Sequence, residues 1–198
     1  MDSMKIIGIS GAARSGKDTF ADCLIEVLNA RGIKAKKFSF ANQLKEEVKD
    51  FLQSTIGIDA FTQDDEEKKI IRPLLVTWGT EVRRKINPNI WIEHVESVLE
   101  DDCVNIITDV RFPNEMQWLK DKSGYSVFIN RVLKDGSPVP PANPTESENN
   151  SILINLCDFQ LSWSTVENLD LLVAVAYETL HNTVPHEEIE LWTQTCRL

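Results

Sequence analysis

The chain has little of the cysteine patterning that marks a metal centre or a disulfide framework. Its four cysteines, Cys23, Cys103, Cys157 and Cys196, are scattered with no CxxC pair, so neither a zinc site nor a stapled secreted fold is expected. Long apolar runs are also missing. The one at 171–177 falls far short of the roughly 20 residues that a membrane-spanning helix needs. Basic residues are scarce beside acids, 21 against 31, for a net charge of −10. So acidic a surface argues against wrapping duplex DNA, whose phosphates need lysine and arginine to neutralise them. An anionic ligand must instead be met by a local basic pocket. The three histidines, His94, His181 and His186, show no metal-ligand spacing. No Ser-His-Asp or Cys-His arrangement and no internal repeat can be argued. The start, MDSMKIIGISG, has an acid at position two and only a brief apolar stretch, so no secretory leader is expected. These absences predict a protein of the reducing cytoplasm whose partners are small molecules, with no nucleic acid and no membrane.

What is present is an ordinary globular composition, 42% hydrophobic and 26% charged over 198 residues, the size of one domain with its own core. The run KIIGIS at 5–10 reads as a buried parallel strand. After a glycine-rich loop, Phe20, Cys23, Leu24, Val27 and Leu28 recur at helical spacing until Arg31-Gly32, with glycine in its usual place past a helix end. Further strands are expected at 36–40, 104–108, 126–132 and 158–162. Helices are expected at 42–52, 66–85, 89–99 and 114–122, and from a capping box at Ser164 and Glu167 through Leu180. Residues 134–151 hold four prolines, a glycine and three asparagines and read as a long polar loop or lid. Strands alternating with helices imply βαβ units. The predicted fold is therefore α/β, three-layered, a parallel five-stranded sheet with helices on both faces and a lid.

The strongest chemical signal is Gly11-Ala12-Ala13-Arg14-Ser15-Gly16-Lys17, between the first strand and the first helix. Glycines let backbone N–H groups turn inward to cradle phosphate oxygens, and the helix N-terminus adds its positive end. Lys17 would reach the terminal phosphates of the ligand. Where the usual loop continues with serine or threonine, this one has Asp18 and then Thr19. A carboxylate is a good hard ligand for Mg²⁺, and equally an acid that favours the helix dipole; both readings stand. Asp109 ends the third strand beside the loop, where ligands bind in open α/β sheets. Magnesium ligand, acceptor for a substrate hydroxyl or an arginine, and structural carboxylate are its open roles. Arg111 and Arg83 are candidates for an acceptor phosphate, since a planar guanidinium binds phosphate bidentately. The acidic run 64–67 reads as a solvated helix start. Trp78, Trp91 and Trp118 fit a core more readily than a base-stacking platform.

With these motifs in order, the chain resembles the phage deoxynucleoside monophosphate kinases, phosphate-loop (P-loop) enzymes that move the γ-phosphoryl of ATP onto a dNMP. GAARSGKDT is similar to that family's phosphate loop, its unusual GKD included. In FSFANQLK only Ala41 and Lys45 carry over, because Asn42-Gln43 replace a glycine-proline pair. Trp78-Gly79-Thr80-Glu81 resembles a WGT helix start with Arg83 downstream; the choice of Arg83 over Arg84 rests on this likeness. Asp109-Val-Arg111 with Glu115 matches a DxR…E pattern, Arg131 follows the fourth strand, and Pro144-Thr145-Glu146 resembles the lid motif with Asn143 in place of a histidine. An asparagine-glycine pair is absent from 162–164.

The resemblance covers about 5–180. It implies one P-loop kinase domain over 1–198, with a helical acceptor-binding region at 41–103, a lid at 133–151 and an unmatched tail at 181–198. It implies Lys17, Arg14, Arg111 and Arg131 as catalytic residues and 11–19 as the ATP site. The substrate set it implies is Ala41, Lys45, Trp78, Gly79, Arg83, Asp109, Arg111, Glu115, Thr145 and Glu146, with Mg²⁺ held through Asp18 and Asp109. A homodimer stays open. Animal phosphomevalonate kinases look similar at the same positions, including the tryptophan-glycine pair and Gln117-Trp118 after DxR. A nucleotide-hydrolysing switch is the alternative from another class, although no NKxD base-reading motif is present. An inactive structural relative is disfavoured by the intact GxxxxGK.

Overall fold

The computed structural model describes residues 4–133, 135–141, 144–164 and 169–198. They form two compact units, one from 1–38 with 99–198 and the other from 39–98.

The first unit holds a five-stranded sheet: β1 (Ile6–Gly11), β2 (Ala35–Phe38), β3 (Val104–Val110), β4 (Tyr125–Arg131) and β5 (Phe159–Trp163). All neighbouring pairs are parallel, in the order β2-β3-β1-β4-β5. β1 and β3 are buried along their whole lengths, so they read as continuous apolar runs rather than alternating ones. One face packs on α1 (Lys17–Ala30), whose buried residues Phe20, Leu24, Val27 and Leu28 form the expected stripe. The other carries α6 (Pro113–Asp121), whose Leu119 crosses β1 so closely that a Cβ on Gly8 would strike it. The three-layer α/β expectation holds.

Two segments depart from expectation. Residues 144–151, expected from composition to belong to a long loop, instead form most of the helix α7 (Pro144–Leu156). Its proline stands at the first helical position, where no N–H is required. Only Leu153 is buried, so the helix lacks the broad apolar stripe by which a sequence announces one. The tail, expected without a role, closes the core. α8 (Leu169–Thr183) packs on α1 and is followed by α9 (His186–Thr195), which buries Ile189 and Trp192. β3 runs on to Val110, past the expected end at Thr108, and β4 ends at Arg131, before the expected Val132. The proposed capping box at Ser164 and Glu167 falls largely on 165–168, and the substituted Asn143 on 142–143, both outside the described residues.

The second unit is helical: α2 (Phe40–Ile56), α3 (Asp65–Val76), a π-helical segment (Thr77–Arg83), α4 (Arg84–Ile86) and α5 (Ile90–Glu96). Val48, Leu52, Ile58, Ala60 and Ile71 make its own small core. The acidic run starts α3 as expected, with the Asp64 carboxylate accepting from the N–H groups of Glu66 and Glu67 at 2.9 Å, a helix N-cap. No helix among the described residues is long and apolar enough to cross a membrane.

Candidate functional site

The loop between β1 and α1 is built from conformations that side chains resist. Gly11 and Gly16 have φ of 135° and 90°, and Arg14 adopts the left-handed region at 63°, which costs a non-glycine residue energy and marks functional loops. The left-handed Gly16 leads directly into α1, so the helix's first N–H groups are offered to the loop interior. Ser15 donates its N–H to the Ala12 carbonyl at 3.1 Å, closing a turn.

Lys17 lies inside this turn, 7% exposed. Its Nζ donates to the Gly11 carbonyl at 2.8 Å and the Ala12 carbonyl at 2.6 Å. Burial, and then the Arg111 guanidinium, lower its pKa from 10.5 to about 8, against the opposing pull of Glu146, Asp109 and Asp18. Those four groups therefore face the lysine closely enough to act on it. The structure brings together Lys17, Asp18, Asp109, Arg111 and Glu146, five candidates drawn from three separate stretches of chain. Asp109 is buried at the end of β3 and Asp18 is exposed in the first turn of α1. Two carboxylates acting on one phosphate-loop lysine are the hard oxygen donors that Mg²⁺ takes, so the residues present fit that ion. Glu100, Asp102 and Cys103 also lie close together, but Lys34 occupies that group, with Nζ 2.7 Å from Asp102 and 3.3 Å from Glu100.

Three residues hold the site in ways sequence reasoning did not assign. Glu115, carried over as a substrate contact, is buried, and its Oε2 accepts from the N–H groups of Arg111 at 2.7 Å and Phe112 at 3.0 Å. It fixes the turn that presents Arg111. Arg131, carried over as a catalytic cation, donates through Nη1 to the Arg14 carbonyl at 2.9 Å. Trp163, at the end of β5, donates through Nε1 to the Ser15 carbonyl at 2.8 Å. Nothing in its local sequence pointed to the loop 148 residues earlier. Glu146, in the first turn of α7, accepts from the Ala13 N–H at 2.9 Å, a backbone donor of the phosphate cradle. Thr145 and Thr19 are exposed.

The remaining candidates belong to the helical unit. Ala41 and Lys45 lie on α2, with Lys45 Nζ 5.3 Å above the Phe61 ring. Trp78, Gly79 and Arg83 lie on the π-helical segment, a geometry frequent at functional positions. The Gly79 carbonyl accepts from the Arg84 N–H and from Trp91 Nε1 at 3.2 Å. A Cβ on Gly79 would lie 2.9 Å from Leu44, so this glycine serves close packing. Arg83 pairs with Glu47 at 2.8 Å. Trp91 and Trp118 are buried, as a core reading expects, while Trp78 is exposed.

Comparison with known proteins places this geometry in context. The phosphomevalonate kinase family model matches residues 9–125. A putative deoxynucleotide monophosphate kinase of Acanthamoeba polyphaga mimivirus is 33% identical, over 75% of this chain and 84% of that protein. Among solved structures, a shikimate kinase from Bacteroides thetaiotaomicron aligns with a TM-score of 0.49 at 15% identity, over 89% of this chain and 98% of that one. A shikimate kinase from Acinetobacter baumannii aligns with a TM-score of 0.48 at 11% identity, over 91% and 96%.

Proposed function

The chain belongs to the phosphomevalonate kinase family, and from that premise we propose that it is an ATP-dependent kinase transferring the γ-phosphoryl of ATP to a deoxynucleoside monophosphate. The observation that carries the kinase reading is the convergence of Arg111, Asp109, Asp18 and Glu146 on Lys17, itself held by the loop carbonyls of Gly11 and Ala12. The dNMP acceptor draws on the mimiviral relative and on the GKD, DxR and lid motifs that resemble the phage enzymes.

Phosphoryl transfer asks little covalent chemistry of the protein. An acceptor phosphate oxygen attacks the γ-phosphorus in line, the bond to the β-bridging oxygen breaks, and ADP leaves. Catalysis is then positioning together with neutralisation of spreading negative charge. The loop amides and Lys17 hold the donor phosphates. Arg111, fixed by Glu115, faces the transferring group. Arg14 and Arg131 keep their place as cationic candidates, Arg131 through its hold on the loop. Asp18 and Asp109 would hold Mg²⁺, which would supply positive charge to offset that of the phosphates. Ala41, Lys45, Trp78, Gly79 and Arg83 form the proposed acceptor-binding set, with Arg83 exchanging Glu47 for phosphate. Segment 133–151 acts as a lid, its Glu146 leaving the Ala13 amide when phosphate arrives and water being excluded as it closes.

A second acceptor reading rests on the family match itself: phosphomevalonate also presents a phosphate oxygen as nucleophile. An ADP-release assay with ATP, Mg²⁺ and a panel of dNMPs, NMPs and phosphomevalonate separates the two. Release should be much faster with at least one dNMP than with no acceptor. Stimulation by phosphomevalonate alone overturns the dNMP assignment, and stimulation by nothing favours a nucleotide-hydrolysing switch.

A further inference from the structure

Trp163 is absent from every motif that identifies the phosphate loop, yet its indole touches the loop at two points and the helix that follows it at a third. Nε1–H donates to the Ser15 carbonyl at 2.8 Å, a buried bond. The six-membered ring lies against Gly16, where a Cβ would sit 2.7 Å from Cζ2. The same side chain meets Phe20, in the first turn of α1, edge to face at 6.0 Å. Across the sheet, Trp163 is the register partner of Arg131, which donates to the preceding loop carbonyl, that of Arg14. Two adjoining strand ends thus grip two successive carbonyls.

A trans peptide points its C=O and N–H in opposite directions. Drawing the Ser15 carbonyl toward β5 turns the Gly16 N–H away from β5. Drawing the Arg14 carbonyl toward β4 likewise turns the Ser15 N–H to the Ala12 carbonyl it meets at 3.1 Å. The indole also fills the space that a Cβ on residue 16 would need, at a position whose φ of 90° already favours glycine.

We infer that Trp163 is a positioning residue of the phosphate loop, setting the Ser15–Gly16 peptide plane so that the Gly16 amide serves the donor phosphates. The inference rests on the kinase reading above and adds a residue to it. It touches the loop backbone and acts on phosphate through it. Its action falls on phosphate, so base identity is irrelevant to it.

The test is direct binding of two probes, ADP and inorganic tripolyphosphate, to the full chain and to Trp163→Phe, which keeps an aromatic ring and loses the donor. Replacement of Trp163 by the isosteric benzothienyl-alanine, sulfur standing for N–H, removes the donor with no change of shape and guards against misfolding of the phenylalanine variant. Both variants should weaken ADP and tripolyphosphate alike, about five- to tenfold, the range for one lost hydrogen bond that orders a binding group. The KM for the acceptor should stay where it is. Equal affinities in parent and variants, even with a lowered unfolding temperature, would make Trp163 a packing residue only and overturn the inference. Weakened ADP with unchanged tripolyphosphate would assign the indole to the base side and overturn it as well. If the parent chain binds neither probe, the kinase reading itself fails, a result distinct from the other two.

Discussion

At the scale of single residues, Lys17 is held in the least comfortable state a lysine can occupy, buried among loop carbonyls with its pKa brought down to about 8 by burial and by Arg111. Because the unfolded lysine keeps its proton to 10.5, the native state binds fewer protons between those values, and this group adds stability as pH rises through that window. Nucleotide binding runs the other way. Phosphate oxygens favour the ammonium, so ADP affinity should be level below about pH 8 and fall above it, by up to about tenfold per unit. Lys17→Arg should erase that dependence, since a guanidinium does not titrate there. Calorimetric titration between about pH 7 and 9.5 reads it directly, and a profile identical in parent and variant would remove Lys17 from the phosphate site. Glu146 makes the complementary case. Its carboxylate accepts from the Ala13 amide and so competes with phosphate for a cradle donor. Glu146→Gln should tighten ADP binding about three- to tenfold, the worth of one partly solvated like-charge contact, and move the Lys17 inflection below about 8, because Glu146 raises that pKa. Weaker ADP binding in the variant would show that Glu146 helps to hold the nucleotide.

Much of this was legible as type and little of it as partnership. Glycine, lysine and acid at fixed spacing named the loop because each residue's chemistry is local: backbone freedom, positive charge, helix start. The roles of Glu115, Arg131 and Trp163 were not legible, because each acts on backbone far away in sequence or, for Glu115, turns inward to amides that any residue possesses.

At the scale of elements, the same contrast explains what was right and what was missed. β1 and β3 carry continuous apolar runs and α1 a periodic apolar stripe, and these patterns are legible in the sequence. α7 buries only Leu153 and hides behind prolines and asparagines, so composition spoke for a loop where the backbone makes a helix. Residues 77–83 fall within the helix expected at 66–85, and only their π-helical geometry goes unannounced by the apolar pattern. The loop between β1 and α1 gives the sharpest elemental test. Gly11 has φ of 135°, and a Cβ there would meet the Ile129 carbonyl of β4, backbone that cannot step aside. Gly11→Ala should cost about 2–4 kcal/mol of stability, strain and overpacking together, and abolish nucleotide binding at temperatures where the variant is still folded. Urea unfolding and ADP titration on one preparation check both. A variant of near-parent stability would mean that the loop is far more plastic than its dihedral angles imply.

At the scale of the whole molecule, an acidic chain concentrates its anion-binding chemistry at the carboxyl end of a parallel sheet, where the first βα turn, the DxR turn after β3 and the first turn of α7 meet on Lys17 while the end of β4 holds the Arg14 carbonyl. Fold and reaction class follow from that placement, and family membership agrees with it. The acceptor is the finer matter, because dNMP and phosphomevalonate present the same nucleophilic oxygen and differ only in what carries it. ATP labelled at its γ-phosphorus, incubated with the protein, Mg²⁺ and a mixture of dNMPs, decides it. The label should leave ATP in step with ADP formation and appear in a deoxynucleoside diphosphate. Label found only in inorganic phosphate, or in no product until phosphomevalonate is added, would contradict the account.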